Sequence, residues 1–131
     1  REEEDVISCL LADSEPPTAL ITSDGFAAEL IQRAGPRGVR IPHDISIVGS
    51  GNLPFAEKLS PPLTTVEQHP IEVGRRAVAL FLRRLAEGHC GSDFTPEIIR
   101  IPAELVIRHT CDKPRPTRKI VPKHLAACRA K

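Results

Sequence analysis

Thr18-Ala19-Leu20-Ile21-Thr22, followed by Ser23-Asp24 and then by Phe26, Leu30, Ile31 and Ala34, decides the fold class. The first five residues form a short, nearly continuous apolar run, the pattern of a strand buried on both faces. Ser23 or Asp24 supplies a helix N-cap, the four apolar residues then line one helical face, and Gly35 stops the helix. After a turn region at residues 36–42, Ile45-Ser46-Ile47-Val48 repeats the buried-strand pattern and ends at Gly49. Upstream, Val6, Ile7, Leu10 and Leu11 predict a helix over residues 2–12, broken by Asp13-Ser14-Glu15-Pro16-Pro17. Helix, strand, helix, strand with short connections calls for parallel strands joined by crossover helices. The fold class is α/β.

The second half carries less regular signals. Residues 49–62 read as irregular or as one short helical turn at 54–58, and Leu63-Thr64-Thr65-Val66 is extended. Pro70 opens the strongest helix, with Ile71, Gly74, Val78, Phe81, Leu82 and Leu85 on one face and Gly88 just past its end. Residues 89–96 form a polar loop. Residues 98–108 alternate and are rich in β-branched side chains but contain Pro102, so they read as two short extended pieces or an edge strand. No internal repeat is present.

Composition narrows the function classes. At 131 residues and 14.3 kDa the chain suffices for one compact domain, and 40% hydrophobic with 27% charged residues is an ordinary soluble balance. No apolar stretch approaches the ~20 residues that span a bilayer, so no membrane role is expected. The opening Arg1-Glu2-Glu3-Glu4-Asp5 reads as the start of a piece cut from a longer chain. A formal net charge of +1 gives no overall nucleic-acid signature, although residues 111–131 hold seven Lys/Arg against Asp112 alone. That basic, Pro-containing tail is either a solvated segment or a phosphate contact. Cys9, Cys90, Cys111 and Cys128 show no C-x-x-C pair; their even number permits disulfides, but reduced thiols in the cytoplasm are the simpler reading. His89-Cys90 and His109-x-Cys111 lack zinc-finger spacing, so neither a metal nor a cofactor is expected.

Catalytic patterns are missing. Gly49-Ser50-Gly51 is not a G-x-G-x-x-G loop, because Pro54 stands where the third glycine belongs. Neither G-x-S-x-G nor H-E-x-x-H occurs, so an enzyme is not expected. Ligands of open α/β sheets sit beyond the carboxyl ends of the strands, which singles out Ser23, Asp24, Ser50, Gly51 and Asn52. Asp24 is a helix cap or a ligand contact there; Asp44 closes the turn before the second strand.

The order of these segments resembles one family. Pro17-Thr18-Ala19-Leu20-Ile21-Thr22-Ser23-Asp24, Val39-Arg40-Ile41-Pro42-His43-Asp44-Ile45-Ser46-Ile47-Val48-Gly49 and Ser60-Pro61-Pro62-Leu63-Thr64-Thr65-Val66 are similar to successive segments of LacI/GalR bacterial transcription regulators. The helix containing Gly74 and the closing Ile101-Pro102-Ala103-Glu104-Leu105-Val106-Ile107-Arg108 continue the match. The resemblance implies the C-terminal part, over residues 1–110, of a two-lobed effector-binding domain of the periplasmic-binding-protein type. Residues 1–62 would belong mainly to the lobe distal from DNA, residues 63–68 would cross the hinge, and 70–88 would form a helix of the other lobe. Residues 98–110 would return as a strand, and 111–131 would form the tail.

The family further implies a small-molecule effector, a homodimer, and operator contact through a helix-turn-helix absent from this chain. Sugar-sensing members carry Asn where Ser23 stands, and an aromatic followed by Asp where Ser50 and Gly51 stand, so a conventional sugar is not the expected effector. The homodimer would use Phe26, Leu30, Arg33, Leu53, Phe55 and Leu59. A solute-binding protein of a transport system, which has the same fold, is the alternative reading.

Overall fold

The computed structural model describes residues 16–88 and 96–113. The helix expected at residues 2–12 and residues 114–131 of the tail lie outside them. The strands β1 (Ala19–Ile21), β2 (Ser46–Ser50), β3 (Thr64–Glu67) and β4 (Glu104–Val106) form one sheet in the order β1-β2-β3-β4. β1 pairs parallel with β2 at Leu20↔Ile47, β2 parallel with β3 at Gly49↔Thr65, and β3 antiparallel with β4 at Glu67↔Glu104. Helix α1 (Asp24–Ala34) is the crossover between the first two strands, and α2 (Pro70–Ala86) follows β3. The alternation is an α/β fold with a mainly parallel sheet.

The core lies on one face of that sheet. Ala27, Leu30, Ile31 and Ala34 of α1 pack with Val39, Ile45, Ile47, Ala56 and Leu63, flanked by Leu20, Ile41 and Leu59. The expectation that the first two strands are buried on both faces is therefore corrected: Ile47 and Gly49 are buried, but Ile21 is 76% exposed. Among the described residues the buried apolar cluster packs with α1, while neighbouring Thr64 and Thr65 of β3 are both buried. α1 is also rotated relative to the sequence reading, with Ala27 inward and Phe26 36% exposed. Arg40 and Asp44 close the turn into β2: the Asp44 carboxylate accepts from the Arg40 backbone N–H at 2.8 Å and from its guanidinium.

The antiparallel fourth strand follows from where the chain travels. β3 leaves the sheet at its carboxyl end, and two residues later Pro70 starts α2 at the first helical position. Gly88, with φ +70°, stands just past the end of α2. Glu104 then enters the sheet beside Glu67, at the same end that β3 left. A strand that re-enters where its neighbour exited must run antiparallel. α2 and residues 96–103 thus belong to the carboxyl edge of the sheet, and α2 contributes no buried residue. Arg83 and Arg84 pair with Glu97, and Val73, Ala77 and Leu80 face Ile99 and Ile101 across a groove. Among the described residues no helix is long and apolar enough to cross a membrane.

At the opposite edge the chain closes on itself. Beyond β4, Arg108 N–H donates to Thr64 Oγ1 (2.9 Å) and His109 N–H to the Pro62 carbonyl (3.0 Å). Thr110, fully buried, then extends the ladder where β2 and β3 are not yet paired. Its carbonyl accepts from Ile47 N–H (2.8 Å), its hydroxyl donates to the Ile47 carbonyl (2.6 Å), and the same oxygen accepts from Thr64 N–H (2.8 Å). Cys111 is a free thiol with Sγ 3.3 Å from the Ile47 carbonyl.

Thr110→Val keeps the shape of the side chain but strands the Thr64 N–H without an acceptor in the interior. A buried group left unsatisfied costs roughly 1–3 kcal/mol, so urea unfolding of Thr110→Val is expected to show a loss of about 2 kcal/mol, and Thr110→Ser distinctly less.

Candidate functional site

Two of the five residues marked as ligand-facing, Asp24 and Asn52, meet at the carboxyl edge through a hydrogen-bond network centred on Asp24. Asp24 has no exposed surface. Its Oδ1 accepts from the Thr65 hydroxyl at 2.5 Å and its Oδ2 from the Leu53 backbone N–H at 2.7 Å. The Thr65 oxygen in turn accepts from Asn52 N–H (3.3 Å). The reading of Asp24 as a helix cap is corrected: Ser23 caps α1, its Oγ accepting from Phe26 N–H at 3.4 Å. Nor does Asp24 present itself to a ligand, because both its oxygens are turned to the protein. It fastens the first turn of α1 to β3 and to the loop after β2.

Glycines give the carboxylate its room. A Cβ on Gly49 would collide with Asp24 Oδ1 and lie 2.8 Å from Leu63 Cδ2. Gly51, at φ +129°, occupies backbone space that side chains rarely tolerate, and its N–H donates to the Val66 carbonyl at 2.9 Å. The segment Gly49-Ser50-Gly51 is thus built for close approach of backbone to a buried acid.

Asn52 is more deeply engaged than the sequence indicates. Its Nδ2 donates to Glu67 Oε2 (3.0 Å), and its Oδ1 accepts from Arg108 Nη2 (2.9 Å). Arg108 also donates through Nη1 to the Leu63 carbonyl at 2.8 Å. The Asn52 amide, and after it the His69 N–H, hold the Glu67 carboxyl below the usual carboxylate range. Ser50 Oγ accepts from Gln68 Nε2 at 2.8 Å. Ser23 is exposed at the same edge.

The sequence reading assigns no site role to Thr65, Glu67 or Arg108. The period of two in β3 would have put Thr65 and Glu67 on one face. No local signal announces Arg108, whose place depends on β4 pairing antiparallel with β3.

The apolar surface set divides. Leu30 is 3% exposed and belongs to the core, which corrects it as an interface candidate; Leu59 is half-buried against that core. Arg33 pairs with Glu29 at 2.5 Å along α1. Phe26, Leu53 (44%) and Phe55 (38%) remain exposed.

Gly49 and Asp24 form one steric and polar unit. Gly49→Ala is expected to cost about 2–3 kcal/mol by overpacking. In an Asp24→Ala background the colliding carboxylate is gone, so the same substitution should cost markedly less. A double-mutant cycle by chemical denaturation reads this coupling, and strict additivity would contradict it.

A family model described as periplasmic binding protein-like domain matches residues 2–111. The HTH-type transcriptional repressor PurR of Vibrio atlanticus (strain LGP32) is 38% identical over 97 residues, covering 73% of this chain and 28% of that protein. Among solved structures, a putative transcriptional regulator LacI from Bacillus cereus subsp. cytotoxis NVH 391-98 superposes with a TM-score of 0.73 at 27% identity, over 83% of this chain and 38% of that one. The LacI family transcriptional regulator CCPA from Weissella paramesenteroides, solved with bound glucose, gives a TM-score of 0.59 at 39% identity, over 72% and 31%. The chain spans roughly a third of the length of these relatives. Their descriptions favour a regulator's sensor domain over a transport binding protein. With the sheet order, the crowded carboxyl edge and the serial motifs, this chain belongs to the periplasmic binding protein-like domain family, as part of an effector-binding domain of the LacI/GalR type.

Proposed function

We propose that this chain is the ligand-sensing and self-associating part of a cytoplasmic DNA-binding transcription repressor, whose helix-turn-helix lies outside it. The observation that carries this reading is the meeting of polar loop and strand residues at one sheet edge, from which α2 also departs. A ligand at that edge touches the part of the chain that leads out of the sheet. In this reading the chain performs no chemistry; its output is a change of conformation. The kinship with repressors supports both statements.

The effector is a small or hydroxyl-poor molecule. A sugar ring is held by pairs of hydrogen bonds to carboxylates and amides, each charged one worth ~1.5–3 kcal/mol. Gly51 offers no side chain for this, Asp24 is turned to Thr65 and Leu53, and the Asn52 amide is held by Glu67 and Arg108. The Weissella relative was solved with bound glucose, so the fold itself is compatible with a hexose, and the proposed contrast rests on this chain's own side chains.

Fluorescence anisotropy with the full-length protein and the DNA preceding its own gene tests this reading. Specific, salt-sensitive binding is expected from the full-length protein and not from residues 1–131, with no release on adding D-glucose. Specific binding by residues 1–131 alone would overturn the division of roles, and release by glucose would overturn the effector class.

Self-association runs through Phe26, Leu53 and Phe55, large apolar side chains that folding leaves 36%, 44% and 38% exposed. The simplest assembly is a two-fold dimer. Sedimentation equilibrium is expected to find the chain associated at tens of micromolar, and Leu53→Asp with Phe55→Asp to shift it toward monomer. A monomer in the unsubstituted chain would refute the interface.

A further inference from the structure

Asn52 and His69 are the non-glycine residues with positive φ among the described residues, at 47° and 51°. They lie on different segments, the loop after β2 and the residue before α2, yet one side chain joins them. Glu67 accepts from Asn52 Nδ2 on Oε2 (3.0 Å) and from the His69 backbone N–H on Oε1 (2.7 Å). Arg108 extends the series at the other end through Asn52 Oδ1. A continuous run of hydrogen bonds therefore leads from β4, across the ligand-facing loop, to the first turn of α2.

The far end of this run decides how α2 starts. Pro70 is the first helical residue and has no N–H, and no side chain caps the helix. His69 carries the opening: its carbonyl accepts the helix bond from Val73 N–H at 3.0 Å. The direction of α2 thus follows from the φ and ψ of His69, a left-handed conformation that costs a residue with a Cβ and holds only where neighbours enforce it. The Glu67 contact to the His69 N–H supplies that enforcement, and Glu67 is itself held by Asn52.

We propose that Asn52, Glu67 and His69 form a coupling device in which Asn52 is the positioning residue: making or breaking the Asn52–Glu67 hydrogen bond resets the start of α2. The input side rests on the proposed function, with the effector arriving at the carboxyl edge. A ligand group that engages the Asn52 carboxamide competes directly with Glu67. Once Asn52 turns away, Glu67 still accepts from the His69 N–H but is no longer held in place by Asn52, so the left-handed His69 is less firmly enforced. The coupling needs no contact between ligand and helix.

The charges around Glu67 give the device a pH signature. Glu104 lies opposite it across β3 and β4, with Oε1 3.6 Å from His69 Nε2; Arg108 stands beyond Asn52; Gln68, bonded to Ser50, is neutral. Because the folded Glu67 carboxyl is held below the usual carboxylate range, its contribution is fully present above that range. It disappears as pH falls through the lowered value.

Amide hydrogen exchange on the full 131-residue chain, with NMR titration of the Glu67 carboxyl, tests the proposal without any ligand. Asn52→Asp tolerates the left-handed backbone and can still accept from Arg108, but it cannot donate to Glu67. The expected result is an upward move of the Glu67 midpoint by about one pH unit or more and roughly tenfold faster exchange at His69, with protection of Ile47 and Thr65 unchanged. Glu67→Gln should also speed His69 exchange about tenfold, and the double variant should be no faster than the quicker single one. The added charge in Asn52→Asp raises the Glu67 midpoint by repulsion in any case, so the faster His69 exchange is the readout that a residue merely packing the loop would not move. Should Asn52→Asp lose core protection, Glu67→Gln decides alone: unaltered His69 exchange there overturns the device, as does an unaltered His69 exchange rate in a folded Asn52→Asp. A failure of the DNA or glucose measurements would bear on the proposed function and leave this result standing.

Discussion

A carboxylate with no exposed surface organises this sheet. Removing an acid from water costs far more than one ordinary contact returns, so Asp24 is compatible with folding only while its oxygens have donors. The donors come from two distant segments, the Thr65 hydroxyl and the Leu53 N–H, and both must be in place at once. This single requirement fixes the rotation of α1, because the residue that opens the helix must point into the sheet. Ala27, Leu30, Ile31 and Ala34 then follow inward, and Phe26 is carried outward. It also fixes the loop after β2, since Leu53 must reach the acid and Gly49 must leave space for it.

The sequence patterns that were legible are those with local causes. Strand, helix and turn positions follow from apolar runs, a serine cap, and glycines and prolines at the ends of elements, all forces acting within a few residues. β1, α1, β2 and α2 stand where those signals put them. The pattern misled where burial depended on partners. Ile21 belongs to an apolar run, but a run cannot say which of its faces will be covered. Phe26 fits the helical stripe as well as Ala27 does, and only the burial of Asp24 separates them. Leu30 could serve a core or an interface by composition alone. The core took it.

The candidate site was legible in part for the same reason. Ser23, Asp24, Ser50, Gly51 and Asn52 follow from the general placement of ligands beyond parallel strands. What these residues do there is not local. Asp24 is satisfied across 41 positions of sequence by Thr65, and Asn52 across 56 by Arg108. Such pairings follow from sheet register, and the register of β4 is set by the antiparallel return of the chain after α2. Arg108 therefore had no readable role until that return was known, although its place in the closing motif was visible.

The two ends of the sheet are built for opposite tasks. At one, Thr110 stitches β2 to β3 with buried bonds between neutral groups. At the other, Asn52, Glu67, Arg108 and Glu104 are polar, partly exposed, and able to exchange one partner for another at small net cost. A rigid end and an exchangeable end on the same strands are what a two-state sensor requires, because a ligand shifts an equilibrium only by its difference in affinity for the two states. Here that difference has a concrete source. In the proposed device a ligand that takes the Asn52 carboxamide gains its own contacts but forfeits those of Asn52 to Glu67, so effector selection and the release of α2 would draw on the same bonds. The departures of this chain from a sugar-binding edge, with Gly51 bare and Asn52 engaged internally, are then parts of one arrangement. On the proposed reading the edge gives up direct grip on a hydroxyl-rich ligand in favour of a carboxamide whose partner is the carboxylate that holds the start of α2.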